Sequence, residues 1–251
     1  MDILDLFWNA SLEELKNGYV EDDKNYICLL CGKNVEKGVI YPEEGVLYDA
    51  SRYIRIHIEH LHGSVFEYLI HLDKKITGLT DHQNNLLRLF YQGKSDAQVQ
   101  TEMDIGSAST IRNHRFVLKE KERQAKVFLT MMELLTEKDN HAPVFLNFHQ
   151  TAKMVDDRYN ITQDERENIL KKQFPQGLDG PLKTFSLKEK QKLVVLQEIV
   201  KRFQRDRIYN EQEVNQVLIP VYGDYVTVRR YLIEYGFLDR KIDGSQYWLK
   251  K

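Results

Sequence analysis

Apolar side chains recur every three or four residues through most of the chain, which is the spacing of helices that bury one face. Capping residues followed three positions later by Glu or Gln mark helix starts, because the two side chains satisfy free backbone N–H groups of the first turn. Such pairs occur at Ser11 and Glu14, Thr80 and Gln83, Thr162 and Glu165, Ser186 and Glu189, and Asn210 and Glu213. The pattern predicts a mainly α protein.

Residues 26–48 depart from the helical spacing. They are rich in Gly, Val, Ile and Tyr and predict short strands and turns. A helix is predicted over 50–62, and it stops near Gly63. This part of the chain is therefore expected to form a small α/β unit.

The last part of the chain predicts three helices followed by an extended segment. The helices are predicted over 187–203, 211–220 and 225–235. The segment after them is typical of a hairpin, since Asp243-Gly244 suits a tight two-residue turn. Three helices and a hairpin are the element order of a winged helix.

Turn-forming sequences divide the chain into four predicted domains. The sequences QGKS and DIGSAS separate three central helices, and DNHAPV and FPQGLDGPLK indicate a connector. The predicted domains are the N-terminal unit over 1–76, three helices over 77–138 with the last unusually long, a helical connector over 139–172 and a winged-helix-like module over 173–251.

Charge is distributed unevenly along the 251 residues, although the formal net charge is only −2. Lys and Arg number 10 against 18 Asp and Glu over 1–106, 10 against 10 over 107–169, and 16 against 10 over 170–251. An acidic front and a basic rear indicate modules with different partners. The N-terminus lacks the basic residues of a signal peptide, and no apolar run approaches the roughly 18 residues of a membrane span. A cytoplasmic, nucleoid-associated protein is expected.

The only two cysteines lie in the sequence CLLCG, which is too few for a disulfide framework. Two Cys separated by two residues and followed by glycine have the layout of a zinc knuckle. His57, His60 and His62 follow at a distance compatible with a small finger. On a regular helix His57 and His60 lie about 60° apart and His57 and His62 about 140° apart, at 100° per residue.

Natural zinc fingers nevertheless allow up to about five residues between their histidines. The predicted ligands of a structural Zn²⁺ are therefore Cys28, Cys31, His57 and His62, and His60 remains the alternative for either histidine. The sequence HIEH lacks the two-residue gap of the metalloprotease motif, and neither a phosphate-cradling glycine loop nor a nucleophile elbow occurs. We expect a closed site in a protein that is not an enzyme.

Residues 79–121 carry features that occur together in one family of DNA-binding domains. These features are Thr80, Gln83, Leu86-Leu87, Gly93, Ser95, Val99, Ile105, Ser107, Thr110-Ile111 and Asn113-His114-Arg115. On these positions the segment resembles the helix-turn-helix domain of LuxR-type transcriptional regulators, although Gln100 replaces a usual small residue. The resemblance implies that the third helix enters the major groove of double-stranded DNA.

Polar side chains early in the third helix are the candidate DNA contacts. Arg can bond guanine and Asn can bond adenine, whereas Lys and Ser can hold phosphates. The candidates are Ser109, Thr110, Arg112, Asn113, Arg115 and Lys119. The alternative is a helix that is charged only because it is solvated, which the interleaved Glu120 and Glu122 favour.

Apolar residues continue along the long third helix and predict one buried stripe. The stripe consists of Ile111, Val117, Leu118, Ala125, Phe128, Leu129, Met132 and Leu135. Its part near 118–136 is expected to pair in a homodimer. Docking on the first domain or on the connector is the alternative.

The C-terminal module contains the sequences DYVTVRRYLIEYGFLDR and DGSQYW. With them, residues 174–249 resemble a family of uncharacterised C-terminal domains found in bacterial regulators. As a winged helix, the module offers a second DNA contact through its third helix and wing. The candidate contacts are Thr227, Arg229, Arg230 and Lys241. The alternative is a protein-interaction module in which Arg229 or Arg230 pairs with Glu234 or Asp239.

Together these features predict a sequence-specific transcriptional regulator that binds double-stranded DNA and contains a structural zinc site. The alternative, from a different class, is a zinc-stabilised adaptor that binds RNA polymerase or another regulator without reading DNA.

Overall fold

The structure is a computed structural model and describes residues 3–147, 149, 151–152, 156–185, 188–205 and 207–250. The chain divides into two compact units, one formed by 1–76 together with 144–251 and the other by 77–143. Helices predominate in the described residues, and the strands form small antiparallel sheets. The prediction of a mainly α protein is confirmed.

The N-terminal part of the first unit combines short helices with five short strands. Its helices are α1 (Ile3–Asn9), α2 (Leu12–Asn17), α3 (Ala50–His62), α4 (Val65–Ile70) and α5 (Lys74–Thr77). Its strands are β1 (Tyr19–Glu21), β2 (Asn25–Cys28), β3 (Asn34–Glu36), β4 (Ile40–Glu43) and β5 (Val46–Asp49). The strands β1, β2 and β3 form one antiparallel sheet in that order, and β4 and β5 form a separate hairpin.

The second unit consists of α6 (Asp81–Tyr91), α7 (Asp96–Glu102) and α8 (Ala108–Thr136). Leu86, Val99 and Ile111 contribute one fully buried side chain from each helix. Capping boxes at Thr80 and Ser95 begin α6 and α7. These contacts fix how the three helices pack, because each helix gives its apolar face to the same small core.

Within a single chain, the predicted α8 stripe is buried only at its start. Ile111 is buried and Leu118 is half-buried. The other members, Val117, Ala125, Phe128, Leu129, Met132 and Leu135, are all exposed. The physical reason is length, since α8 has 29 residues and extends beyond the two shorter helices that cover its first turns.

The C-terminal part of the first unit has its own large core. Its helices are α9 (Gln163–Gln173), α10 (Glu189–Ile199), α11 (Glu211–Leu218) and α12 (Tyr225–Glu234), and its strands are β6 (Leu238–Arg240) and β7 (Tyr247–Leu249). Leu170 of α9, Leu196 of α10 and Leu232 of α12 are buried in one cluster. The connector helix α9 therefore shares its core with the helices that follow it.

Two local predictions need correction. The helix expected to begin after Ser186 begins at Glu189, with Lys188 as a cap that makes no side-chain hydrogen bond, and Ser186 itself lies outside the described residues. The turn between β6 and β7 is longer than two residues, because the Lys241 N–H donates to the Gln246 carbonyl at 3.0 Å. Asp243 accepts from the backbone and hydroxyl of Ser245, and the Gly244 N–H donates to the Lys241 carbonyl at 2.9 Å, so these bonds order the longer loop.

His149 is buried against the end of α12. Its Nε2 lies 2.9 Å from the Tyr235 carbonyl and its ring stacks on Phe237 at 4.0 Å between centroids. The ring therefore donates through Nε2 in the neutral form, and the Tyr159 hydroxyl lies 3.4 Å from Nδ1. Burial lowers the pKa of His149 to about 4.

Acid should destabilise the first unit partly through this histidine. Because the pKa is depressed in the folded state, the unfolded chain takes up the proton first as pH falls below about 6.5. The contribution of His149 is complete above that pH and is lost towards pH 4, at a cost of about 3 kcal/mol in the free energy of unfolding. Chemical unfolding followed across this pH range measures the loss.

His149→Gln is the informative variant, since an amide can still donate to Tyr235 but does not titrate. Its unfolding free energy should change less between pH 6.5 and 4 than that of the parent protein. His141→Gln, at an exposed position, is the matched control. Equal pH dependence in His149→Gln and the parent would contradict the assignment.

Candidate metal centre and nucleic-acid surfaces

The two cysteines lie at the end of β2 in a turn that directs both thiols inward. The Gly32 N–H donates to the Cys28 carbonyl at 2.8 Å, and the Cys28 N–H donates to the Lys33 carbonyl at 2.9 Å. Gly32 has a φ of 78°, a backbone conformation that favours glycine. Both thiols are buried as a result.

The helix α3 brings two histidines to the same place. Asp49 caps its start by accepting from the Arg52 N–H at 2.9 Å. Ile54 and Ile58 then bury one face of the helix in a core that includes Val35 of β3. Burial of this face places His57 and His62 of α3 beside the cysteine turn.

The donor atoms of Cys28, Cys31, His57 and His62 all lie within 4.8 Å of one another. His57 Nε2 is 3.2 Å from the Cys31 sulfur, and His62 Nε2 is 3.8 Å from the Cys28 sulfur. His60 points elsewhere, with its Nδ1 3.4 Å from a Glu43 carboxylate oxygen. The four predicted ligands lie close enough to hold a metal ion.

The donor set fits a tetrahedral zinc ion. Zn–S and Zn–N bonds of about 2.3 and 2.0 Å place neighbouring sulfur and nitrogen donors about 3.5 Å apart. The two sulfur–nitrogen distances, 3.2 and 3.8 Å, lie on either side of that value. Two thiolates and two imidazoles also complete four-coordination, which is the arrangement of structural sites.

The two thiols differ in how readily they lose a proton. The hydrogen bond from Cys28 lowers the pKa of Cys31, and His57 and His62 lower it further. The same hydrogen bond and burial raise the pKa of Cys28. The environment therefore favours a thiolate at Cys31, the form that binds metals.

Two further residues at the centre were not foreseen from sequence. The Tyr68 ring packs edge-on against His62, with 5.7 Å between centroids, and burial raises the pKa of its hydroxyl. Arg205, from the C-terminal part of the chain, donates to the Cys31 carbonyl at 2.6 Å. No sequence signal points to Arg205, because 174 residues separate it from Cys31.

Removing one ligand should abolish tight metal binding, whereas removing the neighbouring histidine should not. His62→Ala is expected to weaken Zn²⁺ binding by more than the 10- to 100-fold that is typical of losing an outer partner. His60→Ala, on the same helix, is the matched control and should keep about one ion per chain. Elemental analysis and competition with a chelator measure both quantities, and equal losses would contradict this ligand set.

The candidate DNA contacts early in α8 are mostly exposed. Arg112 and Asn113 are exposed, and neither side chain has a described hydrogen bond or ion pair. The hydroxyls of Ser109 and Thr110 lie 2.8 and 2.9 Å from the hydroxyl of Ser107, the residue that caps α8. The first turn of α8 is thus ordered by its serine and threonine hydroxyls, and Arg112 and Asn113 project from it.

Arg115 contacts the two other helices of its unit, although 44% of its side chain stays exposed. Its Nη2 lies 2.8 Å from Asp96 of α7, and its guanidinium carbon lies 3.6 Å from the centre of the Phe90 ring of α6. Lys119 pairs with Glu122 at 2.6 Å on the helix surface. Arg115 and Lys119, both predicted from the sequence to contact DNA, are therefore already paired with acidic side chains of the protein.

Arg115 should accordingly contribute to the stability of the three-helix unit. Arg115→Ala is expected to lower the free energy of unfolding of this unit by about 1 kcal/mol, through lost ion-pair and cation–π contacts. Asp96→Ala should cost less in the Arg115→Ala background than in the parent. Arg112→Ala is the control with no expected effect on thermal or urea unfolding.

The candidate contacts in the C-terminal module divide in the same way. Arg229 lies 2.8 Å from Glu211 and 2.6 Å from the side-chain oxygen of Asn215, with only 13% of its side chain exposed. Arg230 is exposed and bonds the Thr227 hydroxyl at 3.3 Å. Lys241 is exposed in the loop after β6. The acidic partner of Arg229 is Glu211 rather than Glu234 or Asp239.

Comparison with known proteins identifies one segment. Residues 181–249 match a family described as "Uncharacterized protein conserved in bacteria (DUF2087)". No curated protein and no solved structure matches the chain. The similarity of the C-terminal segment to a bacterial family is therefore confirmed. Among the described residues, no helix is long and apolar enough to cross a membrane.

Proposed function

We propose that this chain is a sequence-specific transcriptional regulator that binds double-stranded DNA and contains a structural zinc site. The observation that carries the proposal is the exposure of Arg112 and Asn113 on the first turns of α8. Arg and Asn are the side chains that read guanine and adenine by paired hydrogen bonds. On its other side, α8 packs through Ile111 against Leu86 of α6 and Val99 of α7.

The order and packing of α6, α7 and α8 support a helix-turn-helix of the LuxR type. In such a unit the first two helices position the third, whose N-terminal residues meet the base edges. The Arg115 contacts with Asp96 and Phe90 suit a positioning role. Arg115 then fixes α8 against its neighbours, while Arg112 and Asn113 read the DNA.

The C-terminal module is proposed to be a winged helix that adds phosphate contacts. The sequence of α10, α11, α12, β6 and β7 supports this reading. Arg230 and Lys241 are exposed and available to phosphates, which bind mainly through charge. Arg229 is left out of the interface, because it is paired within the module.

The metal is proposed to be Zn²⁺ with a structural role. The four ligands fill a tetrahedral shell and leave no position for a substrate, which is typical of structural sites. The Arg205 contact with Cys31 links the knuckle to the C-terminal part of the same compact unit. Cytoplasmic, nucleoid-associated location and a homodimer formed through α8 complete the proposal.

Arg112 provides the direct test of DNA reading. Selection from a random duplex library with the full protein should yield a preferred sequence, and Arg112→Ala should weaken its binding by about 1–3 kcal/mol and relax one base position. Lys241→Ala should weaken binding to all sequences alike and reduce the slope of log affinity against log salt by about one. Arg123→Ala, on the same helix but paired with Glu120, is the control with no expected change.

The second candidate is an adaptor that binds RNA polymerase or another regulator without reading DNA. Two observations favour it, namely the internal pairing of Arg115 and Arg229 and the apolar exposed half of α8. Weak, sequence-blind DNA binding that Arg112→Ala leaves unchanged would reject the reader and leave the adaptor.

A further inference from the structure

The second half of α8 exposes the longest run of large apolar side chains in the described part of the protein. Seven of them are between 42% and 61% exposed. They are Val127, Phe128, Leu129, Met131, Met132, Leu134 and Leu135. Monomers rarely leave a continuous apolar surface of this kind uncovered. We call this surface of seven residues the α8 face.

Six residues that lead along α8 into the α8 face are spaced alternately by three and four positions, and we call this line of residues the seam. They are Leu118, Lys121, Ala125, Phe128, Met132 and Leu135. This alternation keeps the six residues on one side of the helix, and it is the spacing at which two helices pack side by side. A second helix with the same spacing therefore fits the face, and a second copy of this chain supplies one.

We propose that two copies pair through the α8 face in antiparallel orientation, with the twofold axis near Thr130. The inference rests on the homodimer of the proposed function and adds its orientation and register. In this register Phe128 meets the partner's Met132, an aromatic–sulfur contact that is favourable. The small Ala125 meets the partner's Leu135, so that small and large side chains fill the seam together.

Charge decides between the two orientations. Lys121, whose Nζ also donates to the Gly78 carbonyl at 3.2 Å, is the single charged residue of the seam, and a parallel pair would place two copies of it side by side. The antiparallel register instead places Lys121 at the level of the partner's Asp139. Asp139 lies just beyond α8, where its N–H bonds the Leu135 carbonyl at 2.8 Å and keeps it one turn past the seam.

The distribution of the remaining charges along α8 agrees with this orientation. Residues 119–126 carry four basic and two acidic side chains, whereas 133–139 carry three acidic and one basic. Antiparallel pairing brings the basic stretch of one copy beside the acidic stretch of the other at both ends of the seam. Opposite-sign stretches attract, and like-sign stretches in a parallel pair would repel.

The orientation also determines how DNA half-sites are spaced. Arg112 precedes the twofold axis by about 18 residues, so the two reading turns would lie roughly 50 Å apart along straight helices. That separation exceeds one turn of DNA, which is about 34 Å. Selected sequences should therefore carry inverted half-sites more than one turn apart.

Charge exchange at Lys121 and Asp139 tests the orientation in the full-length protein without DNA. Lys121→Glu and Asp139→Lys should each raise the dimer dissociation constant about tenfold or more, since each faces like charges. The double variant restores opposite charges at both ends and should return to within about threefold of the parent. Sedimentation equilibrium measures these constants, with circular dichroism to confirm folding.

Lys126→Glu, an exposed lysine away from the seam, is the matched control for charge reversal and should raise the dissociation constant much less than Lys121→Glu, because it changes only the general charge of its stretch. In a parallel dimer Asp139→Lys would have little effect, and the double variant would be no better than Lys121→Glu, which would overturn the proposal. A monomer at all concentrations would also overturn it and point to covering by the same chain or another protein.

Disulfide trapping gives an independent readout. Ala125→Cys mixed with Leu135→Cys should form a mixed disulfide dimer, whereas Ala125→Cys alone should not, with the parent as control for the native cysteines. Self-linking of Ala125→Cys would indicate the parallel arrangement and reject this one. DNA binding measured separately keeps the two proposals distinct, because Arg112→Ala tests the reader without touching the seam.

Discussion

The convergence of two buried thiols with two imidazoles is the constraint on which the N-terminal part of the protein depends. Its main core cluster contains only a few buried residues, and two of these are Cys28 and Cys31. So small a core stabilises little by apolar burial alone, and a metal that joins the β2 turn to α3 would supply the missing restraint. Arg205 then joins the same turn to the larger C-terminal core, so the knuckle lies at the junction of both parts.

Arginines in this protein serve two different purposes. Arg115, Arg205 and Arg229 are each held by neighbours that are distant in sequence, and each ties one element to another. Arg112 and Arg230 project from helices. A planar guanidinium can brace a fold as readily as it can bind a phosphate or a base, because both uses rest on the same paired hydrogen bonds. Counting basic residues along the helices therefore overstates the surface that DNA could meet.

The long helix α8 joins two kinds of surface in one rigid element. Its first turns have a buried side formed by Ile111 and a polar side formed by Arg112 and Asn113. Past Lys119 the polar side continues through ion pairs within the helix, while the apolar side has no cover from α6 or α7. Any arrangement of a second copy on that side would also set the position of the turns that carry Arg112 and Asn113, because α8 is one continuous helix.

The sequence by itself determined the helical class, most helix starts and the small set of cysteines and histidines from which the four clustered residues come. These features, such as the capping boxes and the CLLCG turn, depend on residues that are close together in the sequence. They therefore form without reference to distant parts of the chain. Tertiary structure decided the rest. It selected His62 over His60 by directing His60 to Glu43. It also paired Arg115 with Asp96 and Arg229 with Glu211, and brought Arg205 to Cys31. It also left the α8 face exposed, because burial depends on which elements meet, and no pattern within one helix contains that information.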